Sequence, residues 1–303
     1  VKRPTAESEA RLDELRTTAT ANATASQPPA ISYYDLPLLK APVWTWEVPT
    51  YFFVGGAAGA AAILGVAAQL ARVDPELVKD ARRIAAAGAA LSAPLLIADL
   101  GRPERFLYML RIFKPQSPMS VGAWTVAVFG GASTAAVLPL KTVADVSAIV
   151  SALSGLVMAT YTGVLIGATT IPVWKEHVTV LPVHFGASAL GSAVSLLQLR
   201  GHHSRALHGL ALGAAIFETI TGAVLETDDA RVSAPLRQGP TGRLTRLGGL
   251  LSGPIPLVMR LFGGKSKRAR QAAALSTLAG SLITRFAWIE AGKVSAKDVG
   301  LAL

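Results

Sequence analysis

The residues able to exchange protons or to hydrogen-bond a polar head group gather at the ends of apolar runs. Trp44, Trp46 and Glu47 stand just before one run; Asp99, Gly101 and Arg102 close the next; Ser117, Met119, Ser120 and Trp124 open a third. Tyr161 and Trp174 lie toward and beyond the end of a fourth, His184 opens a fifth, and Glu226 closes a sixth. If successive runs cross a bilayer in alternating directions, all of these fall on one membrane face. Such a collar at the head of an apolar bundle suits an amphipathic, redox-active lipid, with polar partners for the head and an apolar slot for the tail. His184 reads either as a satisfied interior histidine or, near a tyrosine, as a proton relay to a bound quinone. Asp99 reads either as a helix-end cap paired with Arg102 or as a site acid; three residues apart on one helical face, the two would pair and the carboxylate would stay ionised. Trp44, Trp46 and Trp174 read as interfacial anchors. Glu218 and Arg285, within runs, are expensive to bury and read as each other's counter-ions.

The elements that position this collar must be helices in lipid. Of 303 residues, 51% are apolar and 16% charged, which departs from soluble composition. Small-residue-rich apolar segments recur at about 50–71, 82–98, 121–140, 146–169, 180–199, 206–225 and 271–289, each near the ~17–25 residues that cross the hydrocarbon. An eighth, about 247–262, contains Gly253, Pro254 and Pro256 between Arg246 and Arg260, and suits a span or a broken, re-entrant helix. Gly55 and Gly59, four apart, form a ridge on which another backbone can sit closely. Pro49-Thr50-Tyr51-Phe52 is echoed by Pro182-Val183-His184-Phe185, as two four-helix units in parallel repeat would require. The expected fold is all-α and polytopic, with about eight transmembrane helices. Residues 1–42 read as a polar arm rather than a signal peptide; 43–175 would form the first bundle, with the quinone site, and 176–303 the second.

Composition also excludes. The chain has no cysteine, so it ligates no iron–sulfur cluster and no thiolate metal centre, and electrons passing through need a metal carried by another subunit. The charge of +10 sits between apolar runs, as membrane-edge charge facing lipid and not nucleic acid. It does not decide which face is cytoplasmic. Of five histidines, His184 and His208 open consecutive runs at opposite faces and His177, His202 and His203 fall in loops, so no depth-matched pair exists for a bis-histidine haem. No metal site is expected.

The strings Trp44-Thr45-Trp46-Glu47-Val48-Pro49-Thr50-Tyr51-Phe52-Phe53 with Gly55-Gly56, Asp99-Leu100-Gly101-Arg102-Pro103 into Arg105-Phe106, and Ser117-Pro118-Met119-Ser120 resemble the NrfD-type family. These are membrane subunits of polysulfide-reductase-like and formate-dehydrogenase-like complexes, and the formate-dehydrogenase-associated members are the nearer likeness. Tyr161-Thr162-Gly163 and Arg285-Phe286 through Glu290-Ala291-Gly292 with Ser295-Ala296 strengthen the resemblance, which covers most of the chain after about residue 33. It implies two four-helix bundles in a bacterial or archaeal cytoplasmic membrane, without haem. It also implies a site for menaquinone or ubiquinone at the face that touches a ferredoxin-like iron–sulfur subunit, itself connected to a molybdopterin or tungstopterin catalytic subunit. Matching the family's motifs points to Glu47, Tyr51, Asp99, Arg102 and Tyr161. In that reading Asp99, Glu47 and His184 are proton partners, Tyr51 or Tyr161 bonds a quinone carbonyl with Ser120 nearby, and Arg102 fixes the acid or stabilises negative charge on the ring. A secondary transporter, which also uses broken helices and buried charges, and a purely structural anchor are the competing readings.

Overall fold

The computed structural model describes residues 39–263 and 266–298, and all regular structure among them is helical. The long helices are α1 (Glu47–Leu70), α2 (Pro75–Asp99), α4 (Pro118–Ala135), α5 (Lys141–Gly167), α7 (Val180–Leu199), α8 (Arg205–Thr227) and α12 (Lys267–Lys297). Short pieces link them: α3 (Glu104–Met109), α6 (Pro172–Glu176), a 3-10 turn at Arg231–Ser233 and α9 (Ala234–Arg237). The segment that reads as span or broken helix is two helices, α10 (Gly239–Ser252) and α11 (Pro254–Phe262). They part at Gly253, φ −104° and ψ −97°, where Pro254 has no N–H to continue the ladder. Local chemistry sets several starts. Asp74, Ser117, Ser204 and Ser266 each accept a backbone N–H of the first turn, and proline occupies the first turn of α2 and α4.

Six helices are long and apolar enough to cross a membrane: α1, α2, α5, α7, α8 and α12. The expected third span, α4, is not among them; it is 18 residues long and carries Ser120, Thr125, Ser133 and Thr134. Outward faces are apolar at helical spacing, as lipid contact requires. Val146, Ile149, Leu153 and Leu156 are exposed on α5, and Ile216, Ile220 and Val224 on α8.

Packing proceeds through α1. It lies against α2, α5, α7 and α12, while α4 packs on α2 and α5; α7, α10 and α11 pack against α12, and α8 lies against α7, α10 and α11. The Gly59 ridge does what its spacing predicts: a Cβ on Gly59 would stand 2.4 Å from the carbonyl oxygen of Gly155, so the α1 and α5 backbones touch. Hydroxyls tie other pairs, with Ser133 to Ser151 and Ser188 to Ser281 both at 2.7 Å between buried side chains. The two echoed strings occupy equivalent places. Pro49 and Pro182 are each third in their helices, and the rings of Phe52 and Phe185 meet at 6.3 Å.

At the end where α1 finishes and α2 begins, charge locks the helices together. Arg82 and Gln69 both donate to Asp145, at 2.7 and 3.0 Å, and Asp80 accepts from Arg200 and His202 at 2.9 and 3.1 Å. Most of the expected polar arm, 1–38, lies outside the described residues. Leu39 and Ala41, assigned to it from sequence, instead pack against the core.

Candidate functional site

The other end of α1, α2 and α5 holds the collar. Tyr51, one turn into α1, and Tyr161, near the end of α5, are both buried, and their hydroxyls meet at 2.8 Å. The opposing helix permits this, because a Cβ on Gly122 of α4 would stand 2.4 Å from the Tyr161 ring. Around the phenols lies a slot of about 60 Å³, walled by Val48, Leu96, Ala123 and Leu165, with Asp99 at its edge. One phenol must donate to the other, which leaves one hydroxyl hydrogen free to donate elsewhere. The arrangement is thus one donor and one carboxylate at the mouth of an apolar slot.

Asp99 ends α2 and is hydrogen-bonded by the Thr45 backbone, with Glu47 close enough to repel it. Glu47 begins α1, half-buried, and accepts from the Thr45 hydroxyl. The expected Asp99–Arg102 pair is absent. The helix stops at Asp99, Gly101 turns the chain at φ +67°, and Arg102 is left exposed. Side chains three apart share a face only while the helix continues.

Ser120 also falls outside the slot. Its hydroxyl accepts from the Lys114 N–H at 3.0 Å and donates to the Ile112 carbonyl at 3.4 Å, holding the 110–117 loop on α4. That loop borders an outer depression of about 440 Å³ with Tyr108, Arg111 and Lys114. Met109 and Met119 line both the depression and the slot, so their thioether chains form the wall between them.

His184 belongs to a different cluster. Buried in α7, it has Nδ1 3.8 Å from Glu218 Oε1, with Trp288 and Phe185 against its ring. Glu218 accepts from Ser252 at 2.9 Å, beside the break at Gly253. Arg285, expected as its direct counter-ion, donates instead to the Phe185 carbonyl at 2.9 Å, its guanidinium 3.8 Å from that ring's centre, and lies only in the field of Glu218. Among the described residues, both His184 nitrogens, Glu218 Oε1 and two Arg285 nitrogens have no hydrogen-bond partner.

A family model described as polysulfide reductase, of the NrfD type, matches residues 31–299. The chain belongs to this family. No curated protein matches it. With the six apolar helices, family membership makes this polysulfide reductase family protein an integral membrane protein.

Within the family member's own geometry, the structure brings together Tyr51, Tyr161 and Asp99, with Glu47 behind Asp99, and separates Arg102, Ser120 and His184 from them. Sequence reasoning placed Met119 in the collar but missed Met109 beside it, and missed Gly122. The latter had a signal: a glycine one turn into the helix that must face Tyr161. Trp174, expected at the interface, is fully buried. Pro172 starts a five-residue helix that tucks the indole inward, where it stacks on Trp44 at 5.7 Å and donates to the Trp288 carbonyl at 2.8 Å. Trp46, by contrast, is 60% exposed, as an anchor should be.

Proposed function

We propose that this chain is the quinone-reactive membrane subunit of a multi-subunit oxidoreductase, exchanging electrons between an iron–sulfur partner and membrane quinone. The observation that carries this is the buried Tyr51–Tyr161 pair with Asp99 at the edge of an apolar slot. The donor set fits a quinone head: the free phenol hydrogen could be donated to a carbonyl oxygen, the carboxylate could serve as proton partner, and Val48, Leu96 and Leu165 would supply the apolar walls. When bound, the quinone supplies two-electron, two-proton redox chemistry. Tyr51 and Tyr161 orient the head, Asp99 holds or releases a proton at its carboxylate, and Glu47 passes it on toward the surface. The slot is smaller than the ~300 Å³ at which ligand pockets begin, so admission requires Met109 and Met119 to yield, as unbranched thioether chains do readily.

In the same reading, α4 and the α10–α11 pair also traverse the bilayer, giving eight crossings in two four-helix units, 43–175 and 176–303. The membrane is a bacterial or archaeal cytoplasmic membrane. The partner is a ferredoxin-like iron–sulfur chain that connects to a molybdopterin or tungstopterin subunit, in a formate-dehydrogenase-type assembly. It docks on the Asp99 face, because the opposite face is separated from the slot by most of the ~30 Å hydrocarbon. Cross-links from the iron–sulfur partner should therefore reach residues 99–120 and spare 200–208; the reverse pattern contradicts the assignment.

The test of the site is Asp99→Asn. The substitution keeps shape and removes the acid, so quinone-linked turnover should fall by about 10²–10⁴ while dye-linked activity of the catalytic partner persists. Parallel loss of both, in step with the amount of complex, would make Asp99 a structural cap. Secondary transport is favoured by one observation, the helix break at Gly253 beside buried Glu218. A transporter would purify alone and would lose transport in Glu218→Gln, whereas the redox subunit brings an iron–sulfur protein with it.

A further inference from the structure

On the face opposite the quinone slot, a cavity of about 810 Å³ opens between the loop after α7, the start of α8, the end of α11 and the start of α12. Its chemistry is one-sided. His203, Arg205, His208, Arg260 and Arg270 line it, and no carboxylate does so among the described residues. Arg260 is the telling group. It is only 3% exposed, and its guanidinium donates to the neutral oxygens of Gln198 at 2.5 Å and Ser195 at 3.3 Å; its Nε has no partner among the described residues. It forms no ion pair among the described residues. A buried cation held only by neutral groups is costly unless an anion stands near it.

Independent features of the backbone point the same way. Ser204 caps the 23-residue α8 and Ser266 caps the 31-residue α12, and both caps line the cavity, so the positive ends of two helix dipoles converge there. Burial, with Arg270, His202 and Lys267 nearby, holds the His203 imidazole below its ordinary pKa. The rim is apolar. Leu261 and Phe262 line the cavity yet are 58% and 86% exposed, on the helix that leads from this rim back into the bundle.

We propose that this cavity binds the phosphate head group of an anionic phospholipid, with the acyl chains lying against Leu261 and Phe262. The cations and helix termini recognise a phosphate oxyanion, and the exposed apolar rim selects the amphiphile over a free anion. The site is separate from the quinone slot and does not depend on it.

The test uses the full chain in detergent, titrated with phosphatidylglycerol, phosphatidylcholine or inorganic phosphate, with binding read by native mass spectrometry and thermal midpoint. Phosphatidylglycerol should bind saturably and raise the midpoint, and phosphatidylcholine should do neither at the same concentration. His203→Gln/Arg205→Gln, both at exposed positions, should weaken phosphatidylglycerol at least tenfold. Lys79→Gln, an exposed charge on the same face, should not change it. Arg260 is left in place because its loss would also release Gln198. Equal response to the two lipids, or equal weakening in Lys79→Gln, would overturn the site. Protection by millimolar inorganic phosphate equal to that by phosphatidylglycerol would assign the cavity to a free anion and overturn the lipid.

Discussion

Asp99 and Tyr161 show how a site is made from residues that are individually ordinary. Neither is unusual at a membrane edge; their meeting at one slot is what confers chemistry. Their convergence was legible, because counting alternating crossings puts both on one face. The partner of Asp99 was not, since a positive φ at Gly101 redirects everything after it. Ser120 was likewise legible in depth but not in direction, and its hydroxyl is consumed by the loop it anchors. A different acid on this face governs stability. Asp228 follows α8 and accepts from the Ser233 hydroxyl and the Ala230 N–H, with His177 Nε2 at 3.4 Å, and these partners hold its carboxyl below the usual range. A depressed carboxylate lends stability that is complete above its unfolded value of about 4 and disappears as pH falls through the folded one. The wild-type thermal midpoint should therefore drop more steeply than that of Asp228→Asn between about pH 5 and pH 3; parallel curves would remove Asp228 from this role.

Among the elements, contact between backbones decides which helices neighbour which. The α1–α5 crossing at Gly59 and Gly155 leaves no space for a side chain, whereas Gly130 on α4 has nothing within 4 Å of where a Cβ would stand. Gly59→Ala should lower stability by about 1–3 kcal/mol through overpacking. Gly130→Ala should be neutral or slightly stabilising, because alanine is the better helix former. Unfolding midpoints of the two variants in one detergent decide this, and similar losses in both would mean that general helix propensity, not the crossing, is at stake. The ridge was readable as a pattern of small residues. The broken helix was readable only as an ambiguity, since glycine and prolines permit a break without requiring one; the backbone at Gly253 supplies it. The burial of Trp174 was hidden because a tryptophan beyond a span has the same sequence signature whether the following short helix turns outward or in.

Across the molecule, the two faces are built differently. Ion pairs of Asp80 and Asp145 tie one end of the first helices shut, while the other end keeps Asp99 and Glu47 without basic partners among the described residues, beside a slot walled by methionine. The all-helical class, the membrane setting and the family were each legible, from composition, run length and the Asp-Leu-Gly-Arg-Pro string. Arg260 and its cavity were not, because they arise where two chain segments distant in sequence, 198–208 and 260–270, come together. The central claim is that quinone binds in the slot beside the Tyr51–Tyr161 pair, at the Asp99 end. A photoactivatable quinone analogue cross-linked in native membranes and mapped by peptide mass spectrometry tests it most directly. Label should fall on residues 44–52, 96–100, 119–123 and 161–165, and be displaced by excess native quinone. Displaceable label confined to α8 and α10, around Glu218, would place the quinone in the other half of the molecule and contradict the account.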